Sequence, residues 1–132
     1  MTRIRVKPSK YRAKPIVIDN IRFASQKEGR RYQELRLLEK AGEIRCLQLQ
    51  PEFELRAALM LKDISRERDP ALIGKYRADF MFDERLVPKG GPVSLRREWR
   101  TIVEDVKGFK TPLYKWKKKH VELQYGITIR EV

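Results

Sequence analysis

Two strand-type runs, Tyr76-Arg77-Ala78-Asp79-Phe80 and Val103-Glu104-Asp105-Val106-Lys107-Gly108, turn to charge where a buried strand ordinarily stays apolar. A carboxylate inside such a run costs free energy unless something pairs with it. The pattern therefore limits the folds open to the chain: the two runs must lie where their acids meet a compensating charge, and a bound metal ion is the simplest one. Within a strand, side chains two apart share a face, so Asp105 and Lys107 point one way while Glu104 and Val106 point the other. If a hairpin-type connection makes the runs neighbours, Asp79 and Asp105 converge.

Two carboxylates, a backbone carbonyl and water suit Mg²⁺ or Mn²⁺, hard cations that take oxygen ligands. Such an ion acidifies water and offsets charge on a phosphate under attack, with the Lys107 ammonium as a compact point charge beside it. The structural alternative is that Asp79 and Asp105 are ion-paired to Arg77 and Lys107 in a half-solvated strand.

The rest of the chain supplies a frame for this pair. Ile16-Val17-Ile18, Asp19-Asn20 and Ile21-Arg22-Phe23 read as a tight hairpin, since Asp and Asn tolerate the left-handed turn. A helix follows from the N-cap Ser25 to Ala41-Gly42, with Tyr32, Leu35 and Leu38 as its apolar stripe. Glu28 has two readings. It is the capping-box acid of that helix, or, standing four and seven residues before Tyr32 and Leu35, it faces the sheet as a third acid of the site.

Ile44 to Gln50 and Phe53-Glu54-Leu55 are of strand type, broken at Pro51. The one cysteine, Cys46, excludes an internal disulfide and reads as a small core residue of an alternating run. Residues 58–75 form a charged connection of uncertain type. Strands over 76–82 and 101–107 flank a Gly/Pro-containing excursion from Asp83 to Arg100. A last helix, about Leu113 to Tyr125, passes through Gly126 into a closing strand, Thr128 to Val132. The order predicts one α/β or α+β domain over 15–132, a mixed sheet between two helices, behind a basic arm over 1–14.

Lys and Arg number 31 against 18 Asp and Glu, a formal charge of +13, which calls for a polyanionic partner, nucleic acid first. No apolar run approaches the roughly 20 residues of a membrane-spanning helix, so a soluble, cytoplasmic protein is expected. The single histidine, His120, rules out a histidine-based metal cluster and reads as a surface residue. Lys110, Lys115, Lys118 and Lys119 follow the acidic pair, and on a helix the last three share a side suited to phosphates. The excursion adds Arg85, Lys89, Arg96, Arg97 and Arg100 as DNA contacts. The alternative for the helix is an ordinary solvated basic face with Trp116 packed inward.

Ser25-x-x-Glu28 on a helix, then Asp79, then Asp105-Val106-Lys107-Gly108, is an order that resembles the PD-(D/E)XK nuclease superfamily. From about Tyr11 to Val132 the chain is also similar to a small phage-associated family named only as a domain of unknown function. That likeness is carried by the runs Lys27 to Leu35, Leu49 to Leu55, Tyr76 to Phe80 and Val103 to Gly108. The relatives it suggests are phage endonucleases of the Holliday-junction-resolvase type, very short patch repair endonucleases and endonuclease subunits of some transposons. The resemblance implies a restriction-endonuclease-like fold and metal-dependent hydrolysis of DNA phosphodiester bonds. Asp79 and Asp105 would be ligands, the Val106 carbonyl a further ligand, Lys107 the catalytic lysine, Glu28 the helix-borne acid, with Gln50 near the site.

The chain departs from that pattern in two places. Ala78 stands where the superfamily has proline, and Glu104-Asp105 presents adjacent acids, of which alternation favours Asp105. The rival function is a non-catalytic module binding DNA or RNA. Paired incision of a branched substrate would call for two copies, so a homodimer through the exposed hairpin edge is a further expectation.

Overall fold

The structure, a computed structural model, describes residues 13–57, 71–86 and 98–132. Its first elements follow from local chemistry. Strands β1 (Ile16–Ile18) and β2 (Ile21–Phe23) pair antiparallel, and Asp19 and Asn20 between them take φ of 51° and 62°, the left-handed turn their side chains tolerate. Helix α1 (Gln26–Lys40) opens where the Ser25 hydroxyl accepts the Glu28 N–H at 3.1 Å, and Gly42, at φ 76°, follows its end.

The buried face of α1 differs from the expected stripe. It consists of Glu28, Gly29, Tyr32 and Leu35, whereas Leu38 is 37% exposed. The hairpin packs over the first turns of the helix and draws the buried face toward them. A Cβ at Gly29 would lie 2.7 Å from Ile16 Cγ2 and 3.0 Å from Ile18 Cδ1, so only glycine fits the approach without a shift.

Four strands form a mixed sheet in the order β3-β6-β7-β8: β3 (Ile44–Leu49), β6 (Phe80–Arg85) and β7 (Trp99–Asp105) are antiparallel neighbours, and β8 (Ile129–Glu131) joins β7 in parallel. Strands β4 (Glu52–Ala57) and β5 (Ala71–Arg77) make a separate antiparallel ribbon. The strand expected over 76–82 is thus two strands in two sheets. The chain bends at Ala78-Asp79 opposite the bend at Gln50-Pro51, and the two bends are tied by Gln50 N–H to Asp79 O at 2.9 Å and Ala78 N–H to Pro51 O at 3.0 Å. Asp79 therefore sits at a corner between sheets. Gln50 holds the left-handed φ of 50° there, a conformation an L side chain takes at a cost of about 1–2 kcal/mol.

Cys46 is exposed, not a core residue. The β3–β6 register shifts between Arg45 and Gln48, with Cys46 at φ 56°, so a bulge interrupts the alternation that would have turned it inward. The β6–β7 ladder runs from Phe80 opposite Glu104 to Arg85 opposite Trp99, reaching into both ends of the expected excursion. Lys89, Arg96 and Arg97, residues 1–12 of the basic arm and 58–70 of the charged connection lie outside the described residues.

Helix α2 (Pro112–Tyr125) begins at the N-cap Thr111, whose hydroxyl accepts the Tyr114 N–H at 3.1 Å, and ends at Gly126 with φ 64°. Alternation along the sheet feeds two cores. Phe80, Phe82 and Ile102 pack with Phe23, Tyr32, Leu35 and Ile44, residues of α1 and its neighbours. Val103 and Ile129 pack with Leu55, Tyr76, Tyr114 and Val121, the core under α2. The architecture is α+β, a mixed sheet with a helix-bearing core on each face and an N-terminal hairpin, as expected. No helix among the described residues is long and apolar enough to cross a membrane.

Candidate functional site

Strand β7 delivers its two acids to opposite faces. Glu104 follows Ile102 to the α1 side, where Arg31 grips it with two hydrogen bonds, Nε to Oε1 at 2.5 Å and Nη2 to Oε2 at 2.9 Å. Glu104 is fully buried, and Arg31, whose pKa is raised chiefly by that hydrogen bond, keeps a compensating charge beside it. Asp105 follows Val103 to the other face and is also fully buried. The Tyr76 hydroxyl donates a short hydrogen bond to Asp105 Oδ2, and the Lys107 ammonium lies 3.0 Å from Oδ1. Past Asp105 the next amide, Val106 N–H, is given to Asp79 Oδ2 at 2.7 Å, while on the β8 side Val132 N–H bonds Asp105 O at 2.9 Å.

Asp79 and Asp105 thus share one site. Burial, then a hydrogen bond shared with Asp105, pushes the Asp79 carboxyl up to about 7, against the lowering effect of Val106 N–H. Glu28 is raised in the same way, by burial first, while the Ala24 amide and Lys107 lower it and Asp105 raises it. Glu28, Asp79, Val106 and Lys107 line a cleft of about 650 Å³ that runs past Lys27, Gly108 and Phe109. Tyr76, held above its usual pKa by burial and by its bond to Asp105, stays a proton donor at neutral pH.

The donor set suits a hard cation in part. Asp105 Oδ1 is buried and faces the Lys107 ammonium at 3.0 Å, with no hydrogen bond of ordinary geometry, and Asp105 lies beside a second carboxylate that resists ionising. A divalent cation would satisfy that oxygen and relieve the repulsion. The set is nonetheless sparser than expected. Among the described residues no three His, Cys, Asp or Glu side chains come together at metal-binding spacing. Glu28 shares the cleft and the field of the pair, and its Ser25-capped turn fulfils the capping reading at the backbone.

A family profile described as a protein of unknown function, DUF1064, matches residues 8–130. The chain belongs to this family. No curated protein and no solved structure gives a significant match.

In this DUF1064 chain the basic side chains sort differently from the expected stripe. Lys118, at 2.5 Å, and Lys110 both bond Glu131, which they hold at a pKa of about 2, the Lys110 hydrogen bond being the larger cause. Both cations are therefore largely neutralised, leaving Lys115 and Lys119 as the exposed, unpaired members among the described residues. Trp116 points outward, 54% exposed, with its ring centroid 5.5 Å from that of His120. His120 is half-buried, its Nε2 3.0 Å from Arg56 O and 3.2 Å from Gln124 Oε1, so it joins α2 to β4 and is not a plain surface residue. Arg100 pairs with Glu84 at 2.8 Å, and Arg85 bonds Gly42 O at 3.2 Å with its guanidinium over Trp99.

The Gln50 side chain is exposed, and its link to the site is the backbone bond to Asp79. Two contributors went unnoticed in the sequence, Tyr76 and Arg31. Tyr76 had a signal: it alternates with Lys75 and Arg77 and shares the inward face with Ala78, so its hydroxyl had to find a buried acceptor. Arg31 had none, because its partner is 73 residues away.

Proposed function

We propose that this DUF1064 protein is a metal-dependent endonuclease that hydrolyses DNA phosphodiester bonds, acting on branched or otherwise structured DNA in the cytoplasm of a bacterial or phage-infected cell. The observation that carries the reading is the Asp79 carboxyl, raised to about 7 by burial beside the fully buried Asp105, at an open cleft also lined by Lys107, whose ammonium lies 3.0 Å from Asp105. On a chain of formal charge +13, a concentration of acids at one corner works against a polyanionic partner unless cations bridge them.

Asp79, Asp105 and the Val106 carbonyl would hold Mg²⁺ or Mn²⁺, with Glu28 bordering the same cleft. The bound ion would supply positive charge to the phosphate and acidify the attacking water. The chain's own groups do the positioning. Val106 N–H fixes Asp79, the Tyr76 hydroxyl fixes Asp105, and Lys107 carries a point charge to the cleft that would orient water or offset charge on the phosphate. Glu28, with its raised pKa, would retain a proton to higher pH than an exposed carboxylate.

A second reading, a non-catalytic module that binds DNA or RNA, is favoured by one observation, the absence among the described residues of a three-ligand side-chain cluster. Cleavage assays on four-way junction, linear duplex and single-stranded DNA decide between them. The nuclease reading expects cutting with Mg²⁺ or Mn²⁺, binding without cutting in Ca²⁺, and no cutting in EDTA. Cutting that persists in excess EDTA, or binding with no cutting under any metal, would overturn it.

A further inference from the structure

Behind Lys107 lies a second, smaller pocket of about 220 Å³, which shares Lys107 and Thr111 with the main cleft. Its walls include Lys75, Arg77, Lys107, Lys117, Tyr76 and Tyr114, with no acidic residue among the lining side chains. The charges are unequally committed. Lys75 pairs with Glu52 at 2.8 Å and Lys107 with Asp105 at 3.0 Å. The Lys117 ammonium donates to the neutral Lys75 carbonyl at 3.0 Å, and Arg77 is exposed opposite Glu52 in the β4–β5 ladder, where it helps Lys75 to lower the Glu52 pKa. Among the described residues Lys117 therefore faces this pocket without a counterion, and Arg77 shares Glu52 with Lys75.

Tyr114 gives an independent indication. It is only 9% exposed, and its hydroxyl is buried against the Tyr76 phenol, whose own proton goes to Asp105, so among the described residues no carbonyl or carboxylate accepts the Tyr114 proton. Buried hydroxyls are nearly always satisfied, and one whose neighbour is another phenol keeps a proton to give to an acceptor entering the pocket. The first turn of α2, with Thr111, Leu113 and Tyr114 in the wall, adds the positive end of the helix dipole. One uncommitted cation, a second that only shares its counterion, and a hydroxyl donor match a phosphate group better than an apolar ligand or a cation.

We propose that this pocket is a phosphate subsite, receiving a backbone phosphate of the same strand whose neighbouring phosphate lies at Asp79 and Asp105. The inference rests on the nuclease reading for the position of that second phosphate, and its chemistry rests on the pocket alone. It also moves the phosphate grip from Lys110 and Lys118, which Glu131 engages, to Arg77 and Lys117.

The test is binding in EDTA, where cleavage plays no part, of a short duplex lacking terminal phosphates, followed by fluorescence anisotropy over a salt series. Arg77→Ala and Lys117→Ala are each expected to weaken binding and to flatten the slope of log affinity against log salt by about 1. Tyr114→Phe should weaken binding by about tenfold with the slope unchanged, because it removes a donor to an anion and no charge. Lys40→Ala, at the far end of α1, serves as the control and should bind as wild type, with thermal melts confirming that each variant is folded.

Folded Arg77, Lys117 and Tyr114 variants that all bind like the control would overturn the subsite. A parallel titration with inorganic phosphate separates the sources of the group. Phosphate binding lost in the variants while duplex affinity stays unchanged would assign the pocket to free phosphate and overturn its role on the strand. The two readings fail separately: wild type that binds duplex but never cuts with Mg²⁺ or Mn²⁺ refutes the nuclease, and only unchanged duplex binding by the variants refutes the subsite.

Discussion

Removing Arg31 tests whether Glu104 belongs to the framework and not to the site. The Glu104 side chain is fully inaccessible and that of Arg31 20% exposed, and two hydrogen bonds of 2.5 and 2.9 Å join them. Arg31→Ala would leave a buried carboxylate whose nearest remaining cation, Arg130, is 4.0 Å away and already engaged with Glu84 at 3.0 Å. Breaking one side of a buried pair typically costs about 3–5 kcal/mol, and partial compensation by Arg130 places this case near 3 kcal/mol. With an unfolding entropy of about 2.1 cal/mol/K per residue, that loss corresponds to a fall in Tm of roughly 10 °C. Calorimetry and urea titration would measure it. The companion variant Arg31→Met with Glu104→Leu removes both charges and should recover most of the loss. A drop below about 1 kcal/mol for Arg31→Ala, or a double variant no better than the single, would refute the view of Glu104 as a desolvated, Arg31-dependent structural acid.

The remaining predictions divide structure from chemistry. Asp105→Asn should abolish metal-dependent cleavage while duplex binding in EDTA is retained, whereas Glu104→Gln should mainly lower the melting temperature; the reverse ranking, read by cleavage assay and melt, would reassign the two acids. Asp79 holds its proton up to about 7 in the folded protein and releases it near 3.8 when unfolded. The folded state therefore binds more protons between these values, and the contribution of Asp79 to stability must fall as pH rises through that window. Measured in EDTA, the stability of wild type relative to Asp79→Asn should decline from pH 4 to pH 7, on the order of the window itself, and a flat difference would contradict the raised pKa. Gly29→Ala gains about 1 kcal/mol of helix propensity but drives a Cβ to 2.7 Å from Ile16 Cγ2, an overpacking cost of about 1–3 kcal/mol, so a net loss near 1 kcal/mol is expected in urea unfolding. Sedimentation equilibrium with and without junction DNA tests the expected homodimer; a monomer in both that cuts one strand would make the protein a nickase.

What the chain determined by itself was whatever depends on a few neighbouring residues. The Asp19-Asn20 turn, the Ser25 cap, the stops at Gly42 and Gly126 and the β-type runs are set by local φ/ψ preference and by a hydroxyl reaching an amide three residues on, so they were readable in order. Alternation along 103–107 likewise separated Glu104 from Asp105, because successive side chains on an extended chain point to opposite faces. Tertiary structure decided whatever needs a distant partner or a broken period. A bulge at Cys46 reversed one residue's facing, and a paired bend turned one expected strand into two, placing Asp79 at a corner. The hairpin displaced the helix stripe from Leu38 to Gly29 by packing over one end of α1. Which cation neutralises which acid was decided the same way: Arg31 took Glu104, and Glu131 took Lys110 and Lys118 from the basic surface. Charge pairing acts over a few ångströms in space and has no period along the chain, so only the folded arrangement selects the pairs.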